Sequence, residues 1–250
     1  MTRFAGYVPR PPGLRRGVSA LSLALLTASA GCVLVAPAQA APTVAASQPL
    51  VVLLSNHVAR TQPDAHAPRI ESVRARRPLT GVRTILPMLS YSRSPDGKSW
   101  ARVGLPGRPS GHTGWIPASQ TKLASTRWHI LIDVSARRLT VYRDGRVDRR
   151  FRAVVGKPST PTPRCRFFIE ETLSLSPKDS GSPFALATSA RSSVFQEFEG
   201  GPGQIGIHGT NNISGAIGTA VSHGCVRLST SAITWVAKRI DGGVPLTITR

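Results

Sequence analysis

Turn-forming residues decide most of what this chain can fold into. From Gln48 to about Leu123, turns marked by Gly, Pro and Asp-Gly interrupt it roughly every eight to twelve residues, and the runs between them alternate or are continuously apolar. "PLVVLLS", "TGVRTILPMLS", "SPDGKSWARVGLPG" and "RPSGHTGWIPAS" follow one another in this way, so residues 41–123 read as a small β-barrel. A barrel of that size needs large side chains inside it, which predicts Trp115 in its core. At Trp128 the pattern restarts. "WHILIDV", "RRLTVYRDG" and, after the Asp144-Gly145 turn, "RVDRRFRAVVGK" read as an antiparallel meander. "PSTPTPRC" breaks the sheet, "RFFIEETL" resumes it, and residues 189–198 read as either a short helix or irregular chain.

The clearest helical signal lies near the end. Ser229 or Thr230 caps "SAITWVAKRI", with Ala232, Ile233, Val236 and Ile240 on one stripe and Lys238 and Arg239 at the C-terminal end, where positive charge suits the helix dipole. "DGGVPLTIT" then turns into a last strand. The fold class is therefore mainly β, with a small N-terminal β-barrel followed by a β-rich domain, 124–250, that holds one clear helix.

The first sixteen residues carry Arg3, Arg10, Arg15 and Arg16 and no acid, and an uncharged run follows that ends in Ala38-Gln39-Ala40. This is the pattern of a secretory signal peptide, cleaved after Ala40. The apolar run, 18–36, is also long enough to remain as a membrane anchor, and Cys32 in "SAGC" admits lipidation. Each route exports the body of the protein, to the periplasm or cell wall. Of the net charge of +20, four charges lie within 1–40, leaving +16. Such a surface attracts polyanions, and outside the cytoplasm the counterpart is an anionic cell envelope rather than nucleic acid. Two cysteines remain beyond the leader, Cys165 and Cys225, too few for a disulfide scaffold; they leave one disulfide or a reactive thiol.

The densest chemistry is in "IGIHGTNNISGAIGTAVSHGCVRLS", where His208, His223 and Cys225 lie among glycines. A thiol becomes a good nucleophile as its thiolate, and a neighbouring imidazole is the usual means of making one. Both histidines are candidates for the base. Gly224 lets a carbonyl substrate approach the backbone and frees amide donors for a developing oxyanion. Two other readings stand beside this one. The histidines can fill polar gaps around a buried cysteine, or His208, His223 and Cys225 can supply three zinc ligands. The zinc reading lacks a nearby acid to activate water, the closest in sequence being Glu197, Glu199 and Asp241.

"IHGT" and "SHGCVRL" resemble the signature of L,D-transpeptidases, the YkuD-type catalytic domain, and "RRLTVYRDG" and "VGKPSTPTP" resemble that domain's opening hairpin and Thr-Pro loop. The likeness spans about residues 126–250. Separately, "WARVGLPGRPSGHTGWIPAS" resembles the closing strands of bacterial Src-homology-type barrels. The first resemblance implies an enzyme that remodels peptidoglycan without a cofactor or metal. Cys225 would attack a stem-peptide carbonyl, expel D-alanine and pass the acyl group to a neighbouring stem's amine, giving a 3–3 cross-link. His208 would be the base, oriented by the carbonyl of Gly209. His223 and the amides of Gly224 and Cys225 would shape the oxyanion pocket, Ser222 would position the turn, and Arg227 would hold a stem-peptide carboxylate.

In one place the chain departs from the family. Cys165 stands where the Thr-Pro loop normally ends in glycine; it is expected to be a small buried residue, with a silencing Cys165–Cys225 disulfide as the alternative. Two rival functions use the same features: a thiol L,D-carboxypeptidase that passes the acyl group to water, and a non-catalytic wall-binding protein.

Overall fold

The computed structural model describes residues 43–198 and 201–250. The leader, 1–40, with its signal-peptide, anchor and lipidation readings, lies outside the described residues. Seven strands come first: β1 (Gln48–Leu53), β2 (His57–Arg60), β3 (Arg69–Val73), β4 (Ile85–Arg93), β5 (Ser99–Gly104), β6 (Thr113–Pro117) and β7 (Thr121–Thr126). They form one antiparallel sheet in the order β3-β2-β6-β5-β4-β1-β7. Strand periodicity corrects one expectation. Along β6, Gly114 and Ile116 face inward, which turns Trp115 outward beside Arg102 and Arg60 on the neighbouring strands. The core tryptophan is Trp100, 2% exposed, its indole N–H donating to Ser94 Oγ (3.2 Å).

The remainder comprises β8 (Trp128–Asp133), β9 (Arg138–Arg143), β10 (Arg146–Arg152), β11 (Val155–Gly156), β12 (Cys165–Ser174), β13 (Phe184–Arg191), β14 (Gln204–His208), β15 (Ala220–Ser222), β16 (Val226–Arg227), α1 (Thr230–Ala237) and β17 (Pro245–Thr249). Eight of these strands make a sheet in the order β10-β9-β8-β17-β12-β13-β14-β16, and β11 pairs with β15. The meander β8-β9-β10 follows from local chemistry. Asp144 and Gly145 both take positive φ (54° and 73°), which the tight hairpin turn between β9 and β10 requires. The C-terminal strand β17 inserts parallel to β8 and antiparallel to β12, so the chain's end is built into the middle of the sheet.

Helix α1 covers this sheet with Ala232, Ile233 and Val236, all buried. Ser229 is its N-cap, with Oγ accepting from the Ala232 amide (3.3 Å). The helix closes sooner than the apolar stripe suggests, because the Arg239 and Ile240 amides both turn onto Val236 O (3.0 and 2.9 Å). Residues 192–198 are irregular rather than helical.

The two sheets meet through β12. Successive side chains on a strand point to opposite faces, so Phe167 enters the core under α1 while Phe168 enters the core of the first sheet. A register shift follows between Ile169 and Glu171, and both Glu170 and Glu171 reach residues before β4. Glu170 pairs with Arg77 and with Arg191 (3.1 Å), and Glu171 Oε2 accepts from the backbone amide (3.0 Å) and hydroxyl (2.6 Å) of Thr80.

Cys165 opens β12 and is exposed, not buried as expected, because the β5–β6 loop rather than a core packs against it. A Cβ added to Gly111 on that loop would lie 2.7 Å from its sulfur. It is not disulfide-bonded to Cys225.

Candidate active site

Three segments converge on the thiol: β14 with the loop after it, the Thr-Pro loop, and the turn between β15 and β16. β14 and β16 run parallel, with Ile207 opposite Val226 and His208 opposite Arg227, so the sheet itself brings the two halves of the motif together. Gly206 couples them. Its amide donates to Cys225 Sγ (3.3 Å), and a Cβ at Gly206 would meet His208 Cδ2 at 3.9 Å. The thiol and the Cδ2 edge of the imidazole therefore flank one residue. A backbone amide aimed at sulfur favours its charged form.

His208 is held in one tautomer. Nδ1 donates to Gly209 O (2.9 Å), leaving Nε2, the nitrogen bonded to Cδ2, as the acceptor. Burial pushes its pKa below the ordinary histidine value, the hydrogen bond to Gly209 opposes this, and the charge on Arg227 lowers it further. Burial thus favours the neutral ring, with Nε2 as its acceptor nitrogen. Its other side is closed by Gly181 on the loop after β12, where φ is +81° and an added Cβ would fall 2.3 Å from Nδ1. The loop is tied down by Gly181 N to Asn211 O and Gly209 N to Gly181 O, both 2.7 Å.

The cysteine turn is shaped from beneath. Ser222 Oγ donates to Cys225 O (2.6 Å) and accepts from Gly224 N (3.2 Å). Thr160 Oγ1 donates to Ser222 O (3.1 Å) and Thr162 Oγ1 to Gly224 O (2.8 Å), so the Thr-Pro loop fixes the carbonyls of the turn. Gly224 has φ +121°, and a Cβ there would approach Ile205 Cδ1 to 2.9 Å.

The structure thus assembles Cys225, His208, Gly209, Ser222 and Gly224 in one place. His223 is different. It is exposed and leans on Phe195 and Phe198, with ring centroids 6.0 and 5.8 Å away. No group of three or more His, Cys, Asp or Glu side chains placed to hold a metal ion occurs among the described residues, so the three-ligand zinc arrangement is not assembled. Arg227 is buried, with Nη1 donating to Ser214 O. Burial lowers its pKa, and the charge of Cys225 opposes this.

The contributions of Gly181, Gly206, Thr160 and Thr162 were not legible from the motif. Only the glycine and Thr-Pro composition of their segments hinted at them, because each acts on a residue distant in sequence.

An imidazole held neutral beside a thiol that receives an amide hydrogen bond defines a candidate acyl-transfer centre. The L,D-transpeptidase catalytic domain family, YkuD, matches residues 127–248. The Bacillus subtilis (strain 168) protein provisionally named L,D-transpeptidase YkuD is 32% identical over 148 residues, 59% of this chain and 74% of that protein. Its Bacillus licheniformis namesake is 33% identical over 122 residues, 49% of this chain and 66% of that protein. Among solved structures, an L,D-transpeptidase from Mycobacterium smegmatis is 21% identical with a TM-score of 0.39, covering 61% of this chain and 90% of that one. L,D-transpeptidase 3 from Mycobacterium tuberculosis, in complex with a faropenem-derived adduct, is 16% identical with a TM-score of 0.43, covering 67% and 91%. The chain belongs to the L,D-transpeptidase family with the YkuD catalytic domain, acyltransferases that act on peptidoglycan stem peptides.

Proposed function

We propose that the protein forms 3–3 cross-links in peptidoglycan through an acyl-enzyme on Cys225. The observation that carries this reading is the Gly206 amide on the sulfur beside His208, whose proton is committed to Gly209 O. His208 Nε2 takes the thiol proton as sulfur attacks the carbonyl of the third stem residue. Amide donors of the Gly224–Cys225 turn stabilise the oxyanion. The intermediate collapses by breaking the peptide bond, and the departing D-alanine amine takes the proton from His208. A neighbouring stem's side-chain amine then attacks the thioester, giving its proton to His208, and a new amide forms as the thiolate is released. Energy comes from the broken peptide bond, so no nucleotide is needed. The test is incubation with tetrapeptide stems followed by mass analysis, with Cys225→Ala as control. Cross-linked dimer and free D-alanine, both lost in the variant, are expected. Tripeptide without dimer would mean that the acyl group passes to water, the carboxypeptidase reading, and no turnover at all would leave the wall-binding reading.

A surface feature favours an anionic envelope as partner. Arg143 lies over Trp128 (5.3 Å to the ring centroid), and Arg149 and Arg239 lie over Trp235 (4.9 and 4.3 Å). Arg146, opposite Arg143 on the exposed strand β10, extends the cationic face. Stacking on tryptophan orders each guanidinium while its N–H edge remains able to meet phosphate or carboxylate. In this reading residues 1–40 export or anchor the chain, and the first sheet is a Src-homology-type barrel that assists retention at the wall. Binding to purified envelope should weaken steeply as salt rises and fall further in Arg149→Gln/Arg239→Gln; binding indifferent to salt would refute it.

A further inference from the structure

Residues 192–198, which follow β13, form a wall beside the cysteine turn, and part of their anchorage comes from the first sheet. Arg108, on the β5–β6 loop of the first sheet, donates from Nη1 to Ser192 O and from Nη2 to Phe195 O, both at 2.8 Å. On the same loop Ser110 Oγ donates to Arg191 O (3.2 Å) and accepts from Arg191 N (2.9 Å). Ser192 Oγ then accepts the Val194 and Phe195 amides (3.2 and 3.0 Å), curling the chain so that Phe195 packs on Phe198 with centroids 5.3 Å apart. Both rings rest on His223, two residues from the thiol. Gly203 closes the curl from below, where an added Cβ would meet Phe195 O at 2.2 Å and Arg108 Nη2 at 3.2 Å.

This wall shows solvent an apolar lip. Val194 is 49% exposed and Phe198 39%, and Val221, four residues before Cys225, is 47% exposed. We infer that Arg108 is a positioning residue: it fixes 192–198 against His223, so that the first sheet completes the wall on which the apolar part of an acyl donor rests before Cys225. The inference rests on Cys225 being the acyl-accepting thiol. A planar fork that spans two carbonyls three residues apart orders the segment before substrate arrives, so that its ordering does not count against binding. A lysine ammonium has the charge but not the fork.

The test compares wild type, Arg108→Met and Arg108→Lys in the intact protein. Amide hydrogen exchange should rise in 192–198 of Arg108→Met and stay low in β14 and β16. KM for the donor stem should rise roughly tenfold with kcat within about twofold, as expected for losing two partly exposed charge-assisted bonds that act on binding alone. Arg108→Lys should recover part of the KM. Unchanged exchange in 192–198 would overturn the pinning. A fall in kcat at constant KM, or raised exchange with unchanged KM, would overturn the role at the substrate wall. If the wild type turns over no stem at all, the transpeptidase reading falls and with it the substrate wall, while the exchange arm still decides whether Arg108 holds the segment.

Discussion

Removing Arg77 should cost the protein a large part of its stability, and the size can be argued from the contacts. Its guanidinium is 10% exposed and bridges Glu170 and Glu171, whose side chains are 0% and 2% exposed. Burial lowers the pKa of Arg77 and the charge of Glu171 raises it, the signature of a cation kept inside by its partners. In Arg77→Met the two carboxylates stay buried. Glu170 keeps Arg191 and Glu171 keeps Thr80, but one positive charge is gone. Breaking a buried pair from one side costs about 3–5 kcal/mol, and the remaining partners place this case near about 3 kcal/mol. For a chain of this size that is a fall in Tm of about 6–12 °C. Urea unfolding monitored by tryptophan fluorescence would measure it, with Glu170→Gln and the double variant completing a cycle. The pair should show a coupling of at least about 1 kcal/mol. A loss below about 1 kcal/mol for Arg77→Met would refute the view that this network binds the two sheets together.

Gly181→Ala places a Cβ 2.3 Å from His208 Nδ1 at φ +81°, so the imidazole must shift; kcat/KM should fall about 100-fold, and wild-type activity would sink the assigned packing. Thr162→Val strands the Gly224 carbonyl and the Gly156 amide in a buried turn; a loss of about 2 kcal/mol in a denaturant titration is expected, with slower alkylation of Cys225 by iodoacetamide. Activity should decline as pH falls, with the acid limb of kcat/KM below pH 6.5 because burial lowers the pKa of His208; a limb centred above 7 would exclude it as the base. His129 meets Gln48 Oε1 (3.1 Å) and Thr247 Oγ1 (2.9 Å), and burial, with the charge of Arg166, brings its pKa down to about 4. The unfolded chain takes up this proton first, so stability should drop by up to about 3 kcal/mol between about pH 6.5 and 4 and level off below, a slope that His129→Gln should flatten.

Short-range signals carried the fold class. Asp144-Gly145 encodes its hairpin because few residues tolerate two positive φ values in succession, and the stripe from Ala232 with the Ser229 cap encodes α1. The turn around Cys225 was legible for the same reason: Ser222, Gly224 and the Cys225 carbonyl bond to one another within four residues. Trp115 shows where such reading stops. Its type suits a core, but the pleat of β6 sends it outward, and only the register with β2 and β5 says which face is inside.

The sequence by itself therefore determined a mainly β chain, a single capped helix, and a histidine and a cysteine of the L,D-transpeptidase type. Tertiary structure alone decided how they are used. It set Gly181 flat against His208, aimed the Gly206 amide at sulfur, split Phe167 and Phe168 between two cores, left Cys165 exposed, and ran Arg108 from the first sheet to the wall beside His223. Local propensity acts through neighbours along the chain, whereas these contacts reach as far as Arg108 to Phe195, 87 positions apart, and exist only once the sheets have formed.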